Sequence, residues 1–165
     1  MQLNAISRCT GIPQLYSFYR HFSFNAPRFT TGSGVLLLLG IGAIRLYLAL
    51  TGIPPESGGS ALHYLIAYFA LVVAVSVAAS VGMLLIRTPV VVKASWGAGS
   101  LLAVATLVMY LVSRTAGLPG IEGFIGRWDY PLGTFAIILS VSFLGLHGSV
   151  LTGLNIAMSW RSWHD

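Results

Sequence analysis

Four long apolar runs with almost no charged residues constrain this chain more than any other feature of its sequence. The runs cover residues 31–52, 61–86, 89–113 and 131–158. Each has at least the ~20 residues that a helix needs to cross about 30 Å of hydrocarbon. Because hydrocarbon offers the backbone no hydrogen-bonding partner, such runs must be helices, and the alternation of an outer-membrane barrel is absent from them. The sequence therefore predicts four transmembrane helices.

The composition is typical of a membrane protein rather than of a soluble one. Of the 165 residues, 56% are hydrophobic and only 8% are charged, whereas a soluble domain has about 25% charged residues. We predict an all-α fold, an integral membrane four-helix bundle of two transmembrane hairpins, over residues 31–158. Residues 1–30 are predicted to form a cytoplasmic or interfacial N-terminal segment, and residues 159–165 a cytoplasmic tail.

The N-terminal segment is rich in aromatic and basic residues. Its stretch LYSFYRHFSF, residues 15–24, combines five aromatic rings with Arg20 and His21. Such a mixture suits the membrane interface, where rings lie at headgroup depth and a guanidinium can meet phosphate. Pro13 and Pro27 argue against one continuous helix. The segment is either interfacial, docked on a partner, or a poorly ordered tail.

Basic residues in the loops predict the orientation, because cytoplasmic loops carry an excess of Lys and Arg. One side of the predicted topology carries Arg8, Arg20, Arg28, Arg87, Lys93 and Arg161. The other side carries Arg114 and Arg127, together with Glu56, Glu122 and Asp129. We therefore expect a multi-pass protein of a bacterial inner membrane, with both termini in the cytoplasm.

No pattern in the sequence points to catalysis or to a bound cofactor. Cys9 is the single cysteine, which excludes an internal disulfide and a cysteine-based metal site. No predicted span contains Asp or Glu, and proton or ion carriers normally need buried acids. The basic residues are scattered rather than clustered on one face, which argues against nucleic-acid binding. We expect no enzymatic activity, no cofactor, and no nucleic-acid partner.

Arg45 is the clearest charge inside a predicted span. Such a charge is costly in the membrane and suggests a function by default. It lies seven residues before Gly52, or about 10 Å along the helix, which is close enough for it to snorkel outward. It could also pair with Glu56, Glu122 or Asp129. Alternatively, it could bind a lipid headgroup, a quinone or a substrate.

The depths of two histidines in the predicted spans bear on whether the chain could bind a haem. His63 lies at the start of the second span, and His147 lies 16 residues into the fourth, about 24 Å below its start. Axial ligands of one haem must lie at matching depth, so bis-histidine ligation is disfavoured. We expect an interhelical hydrogen bond for His147, which lies in the stretch GLHGS, and an interfacial position near the loops for His63.

Two helix faces carry small residues at fourfold spacing. They comprise Ala70, Ala74, Ala78 and Gly82 in the second span and Gly145, Ser149 and Gly153 in the fourth. Faces of this kind let helices approach closely, and close contact holds helices together in lipid. The faces could pack inside the bundle or against another membrane protein, and the sequence does not decide between the two.

The loop GLPGIEGFIGRWDYPLG, residues 117–133, is the most polar internal stretch. Its candidate contact residues are Glu122, Arg127, Trp128, Asp129 and Tyr130. Trp and Tyr are typical anchors at the membrane interface and are also enriched at protein–protein interfaces. The loop is therefore either a membrane-anchored turn or a docking loop on the outer face.

The stretches VSRTAGLPG, residues 112–120, and WDYPLGTFAIILS, residues 128–140, resemble small four-helix membrane proteins of Actinobacteria. Some of these are accessory subunits of the cytochrome bcc–aa3 respiratory supercomplex, which lack cofactors and lie against the catalytic subunits. The resemblance covers about 22 residues and implies no catalytic residue. The N-terminal segment and GLHGS have no counterpart in it.

Three functions remain open after these observations. The leading hypothesis is a non-catalytic accessory or assembly subunit of a larger membrane complex, with the bcc and aa3 oxidase subunits and membrane lipids as the expected partners. The second is a binding protein for a small lipophile such as a quinone, a lipid or haem, which would use Arg45, His63 and the outer loop. The third is a small transporter subunit that acts as an oligomer.

Overall fold

Four helices account for almost all of the described chain. The computed structural model describes residues 27–51, 59–86, 88–118, 125–126 and 128–153. Its helices are α1 (Pro27–Thr51), α2 (Gly59–Leu85), α3 (Pro89–Thr115) and α4 (Pro131–Leu151). Within those ranges there is no strand, so the predicted all-α four-helix fold is confirmed. The N-terminal segment before residue 27 and the tail 159–165 lie outside the described residues.

Proline and glycine set the helix ends. Pro89 and Pro131 occupy the first turns of α3 and α4, where a missing N–H costs nothing. Gly117 and Gly153 follow the ends of the same two helices with φ of +77° and +72°, a conformation that only glycine adopts without strain. The Gly153 N–H donates to the carbonyl of Val150 at 3.1 Å, which closes α4.

The largest differences from the predicted spans are at the start of α1 and at the end of α4. α1 begins at Pro27 rather than at residue 31, because the proline itself supplies the first helical position. α4 ends at Leu151, whereas its span was predicted to reach residue 158. Residues 154–158 lie outside the described residues.

Each helix runs antiparallel to its neighbours in a closed ring. Interhelical contacts link α1 to α2, α2 to α3, α3 to α4, and α4 back to α1. The connections α1–α2 and α3–α4 therefore lie at one end of the bundle, here called the loop end. The start of α1, the α2–α3 connection and the end of α4 lie at the other end, here called the terminal end.

An aromatic stack fills the middle of the bundle. Trp96 and Phe143, both fully buried, stack with ring centroids 5.4 Å apart. Two glycines make room for these rings. A Cβ at Gly34 would lie 2.8 Å from the Trp96 ring, and one at Gly99 would lie 2.7 Å from the Phe143 ring. These two glycines therefore leave the space that the rings of Trp96 and Phe143 occupy in the core.

The outside of the bundle is apolar on all four helices. All four are long and apolar enough to cross a membrane. Large aliphatic side chains point outward along their length, for example Leu36, Leu50, Leu71 and Leu101. A helix bundle with this surface is a multi-pass membrane protein, because water would not solvate such an exterior.

Candidate functional site

Arg45 lies inside the bundle and not at its rim. It is six residues from the end of α1, about 9 Å below the loop end, and only 9% of its surface is exposed. Its Cζ lies 5.6 Å from the Tyr68 ring centroid and 5.8 Å from that of Phe69, both on α2. Arg45 is therefore packed on rings of α2 and is not exposed, while snorkelling to the membrane interface and pairing with an acid both stay predictions. The α2 rings hold the guanidinium inward through cation–π contacts, each worth about 0.5–2 kcal/mol.

Arg114 is a second buried arginine that the sequence analysis assigned to a loop. α3 continues through Thr115, so Arg114 lies in its last turn with 5% of its surface exposed. Its Cζ lies 5.1 Å from the Tyr110 ring centroid and 5.7 Å from that of Tyr130. The signal in the sequence is the spacing of four between Tyr110 and Arg114, which places both on one helix face.

Tyr130 connects the two arginines. It immediately precedes α4, stacks under Arg114, and lies within electrostatic range of Arg45. Trp128 meets Tyr110 edge-on, with centroids 6.1 Å apart, and so extends the aromatic surface toward the loop. Arg45, Tyr68, Tyr110, Arg114 and Tyr130 are here called the arginine cluster.

Two buried polar groups of the arginine cluster have no hydrogen-bond partner among the described residues. These two groups are the Nε of Arg45 and the hydroxyl of Tyr68. Removing a charge from water costs several kcal/mol even after relaxation, which exceeds what cation–π contacts supply. The described arrangement is therefore suited to receiving an anion that accepts hydrogen bonds.

The described residues include a single acid. This acid is Asp129, and its side chain is exposed. The predicted contact residues Glu122 and Arg127, and the candidate partner Glu56, lie outside the described residues.

The histidines lie apart from this cluster and from each other. His63 is exposed near the start of α2. Nδ1 of His147 shares a hydrogen bond with Ser100 Oγ of α3, and its ring stacks on Trp96 at 5.5 Å. The structure thus gives His147 an interhelical contact in the terminal half of the bundle. Among the described residues, no group of three or more His, Cys, Asp or Glu side chains could hold a metal ion.

The small-residue faces separate into packed and unpacked positions. Gly82 packs against Ser95 of α3. Ala70, Ala74 and Ala78 are exposed on the outside of α2. A Cβ at Gly145 of α4, or at Gly153 just after α4, would meet open space. Ser149 is half-buried, and its hydroxyl donates a hydrogen bond of 2.6 Å to the Leu146 carbonyl. Packing within the bundle therefore does not account for the alanine positions of α2.

Comparison of the chain with protein-family models, with curated proteins and with solved structures gives no match.

Proposed function

We propose that this chain is a non-catalytic accessory or assembly subunit of a larger membrane complex. The observation that supports this most directly is the exposed alanine face of α2, defined by Ala70, Ala74 and Ala78. Lipid tails are as apolar as leucine, so helices associate in a bilayer through close packing of small residues. This face offers such packing to a helix that the chain itself does not supply.

The resemblance described above gives the first partner to test. We propose a respiratory complex of the cytochrome bcc–aa3 type, against whose subunits the alanine face would pack. We also propose that the chain lies in a bacterial inner membrane with both termini in the cytoplasm. The distribution of Lys and Arg between the two sides supports this orientation.

The experiment is affinity purification of a C-terminally tagged chain from native membranes in mild detergent, followed by mass spectrometry and an absorbance spectrum. The wild type is expected to elute with stoichiometric membrane subunits. Ala74→Leu, which fills the exposed face, is expected to lose them. Ala43→Leu is the matched control, because Ala43 is an exposed alanine of α1 outside that face. A lone 17.6 kDa wild-type chain would overturn the proposal.

Binding of a small lipophile is the second candidate function, and the burial of Arg45 favours it. It does not exclude the first, because a subunit that docks through α2 can also hold a ligand at the loop end. A lipid or chromophore that elutes with the wild type and is lost from Arg45→Ala would support it.

A further inference from the structure

We propose that the interior of the bundle binds a water molecule between the indole of Trp96 on α3 and the hydroxyls of Ser76 and Ser80 on α2. This site goes beyond docking through the alanine face and does not depend on it. The three side chains are buried within about one helical turn of each other along the bundle. None of the three polar groups has a hydrogen-bond partner among the described residues.

The indole of Trp96 is the most constrained of the three groups. Its ring is fully buried and stacks on Phe143 and His147 of α4, with centroids 5.4 and 5.5 Å away. Gly34 of α1 adjoins the same ring. Because the ring is packed from both helices, its Nε1 cannot turn toward an acceptor elsewhere. An indole N–H can only donate, and burying such a donor unpaired is costly, so an acceptor has to come to it.

The hydroxyls of Ser76 and Ser80 differ from those of the other buried serines in the described ranges. Ser95 and Ser140 each donate to the backbone carbonyl four residues earlier, at 2.8 and 2.7 Å. Ser76 and Ser80, which are 0% and 4% exposed, make no such bond and have no other partner in the part of the chain that the structure describes. Both hydroxyls can therefore donate and accept inside the bundle.

The antiparallel packing of α2 and α3 brings Trp96 to the level of Ser80. Gly82 of α2 packs against Ser95 of α3, so Ser80 lies within about 1.5 Å of Trp96 along the bundle axis. Ser76 follows Ser80 by one turn on the same face of α2. Side chains at this spacing have Cβ atoms about 5–6 Å apart, a span that one water covers at about 2.8 Å from each hydroxyl.

The chemistry of the three groups is that of a water site. A buried water makes about two to four hydrogen bonds to polar groups that are otherwise unpaired. The oxygen of this water accepts from the Trp96 Nε1–H, and its two hydrogens are donated to the oxygens of Ser76 and Ser80. All three groups are neutral, so the site does not require an ion. The water links α2 to α3, as the hydrogen bond between Ser100 and His147 links α3 to α4.

The test is water-edited solid-state NMR of the full chain, with isotope-labelled tryptophan, in lipid bilayers. Magnetisation from water protons is expected to reach the indole N–H of Trp96, whose signal is identified by its loss in Trp96→Phe. Trp128, which is exposed near the loop end, is the positive control for contact with water. A signal for Trp128 without one for Trp96 would mean a dry interior and would overturn the proposal.

Ser80→Ala tests which groups hold the water. It should reduce the transfer to Trp96 by about half or more and lower Tm by about 2–4 °C, as the loss of one hydrogen bond does in a chain of this size. Ser140→Ala is the matched control, because Ser140 is equally buried but its hydroxyl is bonded within its own helix. This control should leave both the transfer and Tm unchanged.

Transfer to Trp96 that Ser80→Ala weakens and Ser140→Ala leaves intact supports the water site. A rise in Tm on Ser80→Ala, which is the result of removing a hydroxyl that is buried without a partner, overturns it. Full transfer to Trp96 in the variant that combines Ser76→Ala with Ser80→Ala also overturns it, because the serines then do not hold the water. The wild-type transfer needs no substitution, so it decides the proposal even if a variant fails to fold.

Discussion

Individual glycines set how closely the helices of this bundle approach each other. Gly34 and Gly99 lie against Trp96 and Phe143, the largest buried side chains of the core. Gly97, two residues from Gly99 on the same helix, has nothing near it. The same residue type therefore has different roles at neighbouring positions, because one faces the core and the other faces lipid.

We expect Gly99→Ala to lower the free energy of unfolding by about 1–3 kcal/mol, as overpacked cores do. Its Cβ would lie 2.7 Å from Phe143 and 3.1 Å from Leu38, and neither side chain has room to move. Gly97→Ala is the matched control and should be neutral or gain about 0.5–1 kcal/mol from helix propensity. Denaturant unfolding in micelles measures both. Equal stability of the two variants would contradict the packing described here.

The second prediction for single residues concerns the hydrogen bond between Ser100 and His147. Ser100→Ala removes the side-chain link between α3 and α4 and should cost about 0.6 kcal/mol, the average for interhelical hydrogen bonds in a membrane. Ser142→Ala, at an exposed position of α4, should cost nothing measurable. Unfolding of both variants under identical conditions is the measurement. A larger loss of stability for Ser142→Ala than for Ser100→Ala would contradict the assignment of the interhelical hydrogen bond to Ser100.

At the scale of the helices, the uniformly apolar composition of a segment does not indicate which of its faces packs inside the bundle. Leu36 to Leu39 form an unbroken leucine run in α1, yet Leu36 is 72% exposed and Leu38 is fully buried. Hydropathy indicates that the segment spans a membrane, since every position suits lipid. It cannot indicate the packed face, because in a bilayer both faces of a helix are apolar.

We therefore expect Leu38→Ala and Leu36→Ala to differ strongly. Leu38→Ala leaves a cavity beside Gly99. Since lipid also solvates leucine, only the lost contacts count, and we expect about 1–3 kcal/mol, below the 2–5 kcal/mol found in water-soluble cores. Leu36→Ala should change stability by less than about 0.5 kcal/mol. Unfolding of both variants under the same conditions is the measurement. An equal loss of stability for Leu36→Ala and Leu38→Ala would contradict the assignment of Leu38 to the packed face of α1.

The same reasoning explains what could be predicted from the sequence and what could not. Four long apolar runs sufficed for the number of helices and the fold class, because length and hydropathy are properties of a segment alone. Arg45 stood out as a charge in such a run. Its inward orientation depends on the rings of α2, and the burial of Arg114 depends on the two further residues that α3 adds beyond the predicted span. Such contacts between distant segments cannot be recognised from the sequence of either segment alone.

At the scale of the whole molecule, the alanine face of α2 and the arginine cluster are separate. The alanine face lies along the outside of α2, whereas the arginine cluster lies at the loop end and consists of residues of α1, α2 and α3 and of Tyr130, which precedes α4. A partner could therefore cover the first without closing the second. The side of the membrane from which the cluster is reached depends on the orientation of the bundle.

The last prediction is that the terminal end faces the cytoplasm, because basic residues are in excess at that end. In a Cys9→Ser background, a membrane-impermeant thiol reagent added to intact cells should label Asp129→Cys, at the loop end. It should not label Thr88→Cys, which is exposed in the α2–α3 connection at the terminal end. Thr88→Cys should react only after the membrane is opened, which controls for its accessibility. The reverse pattern would place the loop end, with the arginine cluster, on the cytoplasmic side.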